Sequence, residues 1–196
     1  MSTSRSGGYH HGELRAALFD AAVALLAEDG ADALSLRAVA RRAGVSAMAP
    51  YRHYPDKGAL LAALVAHGFG GLCDALREAD EGAAPGQALV GQAVAYVRFA
   101  RANPALFRLM FGPKRMAAAH PELTAAGDAT YRVLSDRVAA DAPPDRDREA
   151  LAVGCWALVH GLAGLFLDGQ ISDRIDAPDD VAARRVAEVM LSGFMT

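Results

Sequence analysis

Eighteen consecutive residues, Ala150 to Leu167, read ALAVGCWALVHGLAGLFL, with His160 as their one strongly polar member. A stretch this apolar has two fates. It crosses a membrane, or it is a helix buried on all sides inside a bundle or a subunit interface. A span needs about 20 apolar residues. Here His160 sits near the middle, Gly154, Gly161 and Gly164 dilute the run, and amphipathic segments surround it. A buried helix, with no membrane, is the expectation. It carries two apolar faces. One is Leu151, Cys155, Leu158, Leu162 and Leu165; the other is Ala152, Trp156, Val159, Ala163 and Phe166. A single chain covers one face with its own core and leaves the other as a patch that soluble monomers rarely tolerate. The run therefore predicts a homodimer. Leu151, Cys155, Leu158, Leu162 and Leu165 would meet Val186 and Met190 of the last helix in an intersubunit four-helix bundle.

The remainder of the chain is also helical in pattern. Apolar residues make up 53% and charged residues 22%, which excludes disorder. Aromatics are only 7%, and a fraction carried by Ala, Leu and Val favours helices over strands. Helical spacing predicts segments over 12–30, 35–43, 46–54, 57–79, 87–102, a short one after Pro104, 122–140, 146–167 and 178–194. Gly30, Gly44 and the Ala142-Pro143-Pro144 run are stops; Ser35, Ser46, Asp56 and Asn103 are cap candidates. No alternating strand pattern and no internal repeat occurs. The expectation is an all-α protein of about nine helices. The EGAAPG stretch at 81–86 is the clearest linker, so the domains are expected at 11–71 and 82–196. The opening MSTSRSGGYHHGELR lacks the apolar core of a secretory signal, and the two cysteines make no disulfide framework. Both point to a cytoplasmic protein.

Leu34 to Lys57, LSLRAVARRAGVSAMAPYRHYPDK, is the segment that carries function. Two short helices meet at Gly44-Val45-Ser46, where Gly permits a sharp bend, Val anchors it and Ser caps the next helix. That is the grammar of a helix-turn-helix unit, whose second helix lies in the major groove. Ala47, Met48 and Ala49 form its first turn. They can touch thymine methyls but cannot make the paired hydrogen bonds that select guanine or adenine. Tyr51, His53 and Lys57 are phosphate donors, and Arg37 reaches phosphate or a base. The surface reads as rich in backbone anchors and poor in base readers. The net charge is −3, but residues 1–68 sum to +1 and the rest to −4. An ordinary helical hairpin with Arg41 and Arg42 on a solvated face gives the same pattern.

Residues 11 to 69 resemble the N-terminal domain of TetR-family transcriptional regulators. The likeness rests on Leu14, Ala21 and Leu25 to Gly30, on LSLRAVARRAGVS, and on YRHYPDKGALLAAL. The aromatic run Tyr51, His53, Tyr54 before Lys57 is a hallmark of that family. YHHGELR, ANPALFRLMFG and Trp156-Ala-Leu-Val-His160-Gly161 look like its subgroup with a WHG-type C-terminal domain. The resemblance implies a three-helix helix-turn-helix domain, a C-terminal domain for ligand binding and dimerisation, and a homodimer on a palindromic double-stranded DNA operator. By position, Ser35, Arg37, Ser46, Ala47, Met48, Ala49, Tyr51, His53 and Lys57 fall at or beside the DNA contacts. Two departures matter. Gly58 follows Lys57 where a helix former is usual, and Ala47 with Ala49 leaves the base code unreadable.

A small-molecule effector is expected in a closed apolar cavity, the usual form of a ligand site. The aromatic-rich stretch from 87 to 131 offers Tyr96, Phe99, Phe107, Met110, Phe111, Met116 and Tyr131 as wall residues, each also readable as plain core. Trp156 and His160 lie one helical turn apart and share a face. His160 is either a core histidine satisfied by a backbone carbonyl or a polar group on that wall. No cofactor or metal is expected: the six histidines show no ligand pairing at helical spacing, and no nucleotide-binding or hydrolase motif occurs. The rival expectation is a helical enzyme or carrier that keeps the fold without binding an operator. Effector identity, operator sequence and the choice between repressor and activator are not written in the residues.

Overall fold

The computed structural model describes residues 11–112, 120–171 and 173–192. Met116 and Phe194, and the start of the chain before residue 11, lie outside the described residues. Among the described residues the regular structure is all helical. The helices are α1 His11–Ala33, α2 Leu36–Arg42, a 3-10 turn Pro50–Arg52, α3 Lys57–Glu81, α4 Ala88–Ala102, α5 Pro104–Met110, α6 Pro121–Asp141, α7 Arg148–Leu167 and α8 Asp179–Ser192. The chain divides into two compact units between Leu64 and Val65, within α3 itself.

In the N-terminal unit, Leu18, Ala22 and Leu26 of α1 are buried, as are Leu36, Val39 and Ala40 of α2. Leu34, Tyr54 and Leu60 complete this core. Gly30 has φ 78° and ψ 176°, a conformation only glycine holds without strain, and it kinks α1 three residues before its end. The Ser35 side chain accepts from the Ala38 N–H at 3.2 Å and caps α2. Gly44, at φ 69°, turns the chain after Ala43. Asp56 Oδ1 accepts from the Ala59 N–H at 2.8 Å, so α3 starts at Lys57 and Gly58 does not delay it.

The helix expected over 46–54 is not an α-helix. A helix capped by Ser46 makes its first internal bond from the N–H of residue 50, and that residue is Pro50, which has none. The chain instead turns once, with the Ala49 N–H donating to the Ser46 carbonyl at 2.9 Å. It then starts afresh with Pro50 as the first residue of a single 3-10 turn.

In the C-terminal unit α4 is the central element, packed against α5, α6, α7 and α8. Leu89, Gln92, Ala93, Tyr96, Val97 and Ala100 are buried along it at helical spacing. Arg98 pairs with Asp180, Arg101 with Asp179 and Arg137 with Asp80 around its rim. Asp147 Oδ1 caps α7 through the Ala150 N–H at 3.0 Å. Asn103, expected to cap α5, makes no such bond; its side-chain amide donates to the Phe99 carbonyl at 3.0 Å and closes the end of α4. Pro104 then opens α5 without a donor to satisfy.

The apolar run becomes α7. Its buried stripe is Ala152, Cys155, Val159, Leu162, Ala163 and Phe166, which straddles the two expected faces. Cys155 and Leu162, expected to meet a second copy, are 5% and 6% exposed within the single chain. The reason is that α7 packs against three helices of its own chain, and a 3.6-residue period turns Cys155 and Leu162 toward them. Leu151 and Leu158 are half-buried, whereas Leu165 is exposed. The outward stripe is Val153, Ala157, Gly161 and Leu165. By length and composition alone, α3 and α7 are apolar enough to cross a membrane; their apolar side chains supply much of the core described above.

Candidate nucleic-acid interface and ligand cavity

The turn region of the N-terminal unit presents an exposed surface. Met48 is 69% exposed and Tyr51 is exposed beside it; Ser46, Ala47, Arg37, Arg41 and Arg52 are exposed as well, while Ala49 is half-buried. Ser35 is exposed, but its oxygen lone pair serves the α2 cap. Arg42 is held by Glu28 through two hydrogen bonds, which keep the Glu28 carboxyl below its ordinary range. Two expected anchors differ from expectation. Lys57 is half-buried and its Nζ donates to the Asp32 carbonyl at 3.2 Å, tying α3 to the loop before α2. His53 is half-buried, and its Nε2 is buried without a partner, so that nitrogen does not face outward. Arg37, Ser46, Ala47, Met48 and Tyr51 are thus the expected contact residues exposed to solvent with side chains not engaged in a cap or an internal hydrogen bond.

The C-terminal unit holds an apolar cavity of about 550 Å³. Every helix of that unit contributes, with Val65, Phe69, Leu72 and Leu76 supplied by α3. Of the expected wall residues, Tyr96, Met110, Phe111, Tyr131 and Trp156 line it. Phe99, Phe107 and His160 do not. Phe107 and His160 stand behind the wall in a ring cluster with Tyr96 and Phe111, with Phe107 stacked on the His160 imidazole at 5.4 Å. Phe99 is half-buried, and its ring approaches Gly71. The contact Gly68 makes with α5 is the tightest: a Cβ there would fall 2.5 Å from Met110 Sδ, so glycine sets how closely α3 meets a wall residue.

His160 is half-buried, and its partner is a side chain rather than a backbone carbonyl. Tyr96 Oη lies 2.9 Å from His160 Nδ1. Burial holds the imidazole below its ordinary pKa, and in its neutral form Nδ1 shares one hydrogen bond with the phenol, the tautomer setting which of the two donates. Burial also pushes the Tyr96 phenol up, with the Trp156 indole opposing it in part. Tyr96 lines the cavity, so its hydroxyl links the wall to His160.

Pattern reasoning missed several wall residues: Thr124, Asp128, Thr130, the α3 leucines and above all Gln92. A signal for Gln92 was present. It lies at i+3 from Leu89 and i−4 from Tyr96, on a face otherwise apolar. Its amide nitrogen donates to Asp80 Oδ1 at 2.8 Å, and Asp80 also receives Arg137, whose hydrogen bond holds the carboxyl below its usual range. Among the described residues no three His, Cys, Asp or Glu side chains cluster as metal ligands do.

Residues 18–64 match the family described as bacterial regulatory proteins, tetR family, and residues 89–190 match the tetracyclin repressor-like C-terminal domain. No protein with a curated description matches. A protein of unknown function from Rhodococcus sp. RHA1 is 36% identical, with a TM-score of 0.82 over 97% of this chain and 100% of that one. A tetR-family regulatory protein from Rhodococcus RHA1 is 24% identical, with a TM-score of 0.65 over 93% and 97%. The fatty acid degradation regulator FadR from Bacillus halodurans is 15% identical, with a TM-score of 0.73 over 90% and 93%. The last two show the fold alone.

Proposed function

The chain belongs to the TetR family of DNA-binding transcriptional regulators, and from that premise we propose that it is a cytoplasmic homodimeric repressor of a palindromic operator, released by a small apolar effector. The observation that carries the effector is the cavity of about 550 Å³ in the C-terminal unit, walled by hydrophobic side chains with few polar ones. Release follows by population shift: the effector favours a dimer whose two DNA-reading units no longer match half-sites one helical turn apart. α3 is a single helix that carries Lys57 at its start and Val65 to Leu76 in the cavity wall. On the DNA side, Arg37 and Tyr51 anchor phosphate and Met48 touches base edges. Lys57 acts chiefly by holding the Asp32 carbonyl, and Ser35 by capping α2. Placement in the WHG-type subgroup rests on the ANPALFRLMFG and WALVHG segments.

The test is binding to palindromic fragments selected by the protein from random duplexes, measured at several salt concentrations. We expect a steep fall of affinity with salt and a preference for palindromes with half-sites one turn apart. Salt-independent or absent binding would point to the enzyme or carrier that keeps the fold without an operator.

A further inference from the structure

The break that Pro50 makes in the helix-turn-helix unit decides which side chains can read a base. The chain is pinned on both sides of a four-residue turn. Before it, the Val45 N–H donates to the Ala40 carbonyl at 3.0 Å; after it, the Pro50 ring is fully buried and the Tyr54 N–H donates to its carbonyl at 2.8 Å. Between these points Ser46, Ala47 and Met48 are exposed and Ala49 is half-buried. The alanines end at Cβ. A serine hydroxyl bonds to any base and selects none. Met48 is the one long side chain of the turn, and at 69% it is more exposed than Tyr51, the other large hydrophobic side chain left exposed among the described residues of this unit.

A thioether has no N–H or O–H to donate and accepts only weakly. It is soft, unbranched and polarizable, suited to contact with a small apolar group. The major groove offers one such group, the C5-methyl of thymine. We propose that Met48 sets the base preference of this surface by reading a pyrimidine C5-methyl, at one step in each half-site. The proposal rests on the operator reading above. It has a consequence of its own. Met48 is blind to the O4 or N4 atom beside that methyl, so 5-methylcytosine satisfies it as thymine does, and cytosine methylation at that step strengthens binding.

The test uses the full chain and its selected palindrome. Each thymine of the half-site is replaced in turn by deoxyuridine, in both halves together, and affinity is read by fluorescence anisotropy at fixed salt. We expect one step where losing the methyl weakens binding about fourfold per half-site, about fifteenfold for the palindrome, the worth of one buried methyl taken twice. With cytosine at that step, 5-methylation raises affinity by a similar factor. Met48→Ala brings both ratios to one and leaves the salt slope unchanged, since no charge is lost; Met48→Leu, still long and apolar, keeps them. Thermal midpoints equal to wild type show that both variants are folded. A scan flat at every thymine, ratios that survive Met48→Ala, or cytosine and 5-methylcytosine bound alike overturns the methyl reading while palindrome binding stands. A chain that selects no palindrome overturns the operator reading and the methyl reading together.

Discussion

Tyr96 and His160 share one hydrogen bond, and two expectations follow from it at the scale of the residue. Tyr96→Phe keeps the ring in its cluster but leaves His160 Nδ1 without its hydrogen-bond partner. Removing one partner of a buried pair costs about 1 kcal/mol, which denaturant titration will register as a lower midpoint. The second concerns pH. Burial depresses the folded pKa of His160 below its ordinary value of 6.5. Between those two values the unfolded chain binds a proton that the folded chain refuses, so stability rises with pH in that window. Stability is therefore full above pH 6.5 and falls as the pH drops through the folded value. His160→Gln should flatten this part of the profile relative to wild type; an unchanged profile would mean that the imidazole is not desolvated. On the N-terminal surface, Arg37→Ala should weaken all sequences alike and lower the salt slope by about one, whereas Lys57→Ala should lower stability with a smaller change in slope, since its ammonium already serves the Asp32 carbonyl. A shift in base preference on losing Arg37 would make it a reader and not an anchor.

Among the elements, α2 and its flanks were the most legible, because each boundary is a local event. Ser35 and Asp56 cap, Gly30 and Gly44 turn, and none of these depends on distant residues. Gly30→Ala should cost about 1–3 kcal/mol through backbone strain alone, because a Cβ there meets nothing within 4 Å. Ser35→Ala should cost about 1 kcal/mol through loss of the cap. Chemical denaturation checks both, and a neutral Gly30→Ala would mean that the kink relaxes. The segment after Gly44 departs from the expected helix for a reason also local: in a helix capped by Ser46, Pro50 would be the fourth residue, where the missing N–H matters, so the chain restarts with Pro50 as the first residue of a 3-10 turn. The C-terminal wall was less legible. Helical spacing places Phe99, Phe107, Met110 and Phe111 on buried faces but does not say which face borders a void. That depends on how α4 crosses α5, α6 and α7, a tertiary fact with no local signature. Gln92 was the exception, since a glutamine on an apolar face asks for an explanation in the sequence itself.

At the scale of the whole molecule the question is what covers the outer sides of α7 and α8. A single chain already buries Cys155 and Leu162, so a dimer contact cannot be drawn through them. It leaves exposed Val153 and Leu165 on α7, with Ala157 and Gly161 between them, and Val181, Val189 and Met190 on α8. Small residues at 157 and 161 let a second helix approach closely, and flanking branched side chains supply the area to bury. Val186 is half-buried beside this surface. A two-fold pairing of α7 and α8 with their copies would cover the patch as a four-helix bundle. Two substitutions separate this arrangement from an interface drawn through Cys155 and Leu162. Leu162→Arg places a charge in the core of the chain and should unfold it. Leu165→Arg, at a position 48% exposed, should leave the fold and its thermal midpoint largely intact while giving a monomer in sedimentation. That monomer should lose most affinity for a palindrome, because half of the contacts go with the second copy, yet retain binding to a single half-site. A Leu165→Arg protein that sediments as a dimer would move the interface elsewhere, and a well-behaved wild-type monomer would remove the two-fold logic from DNA recognition altogether.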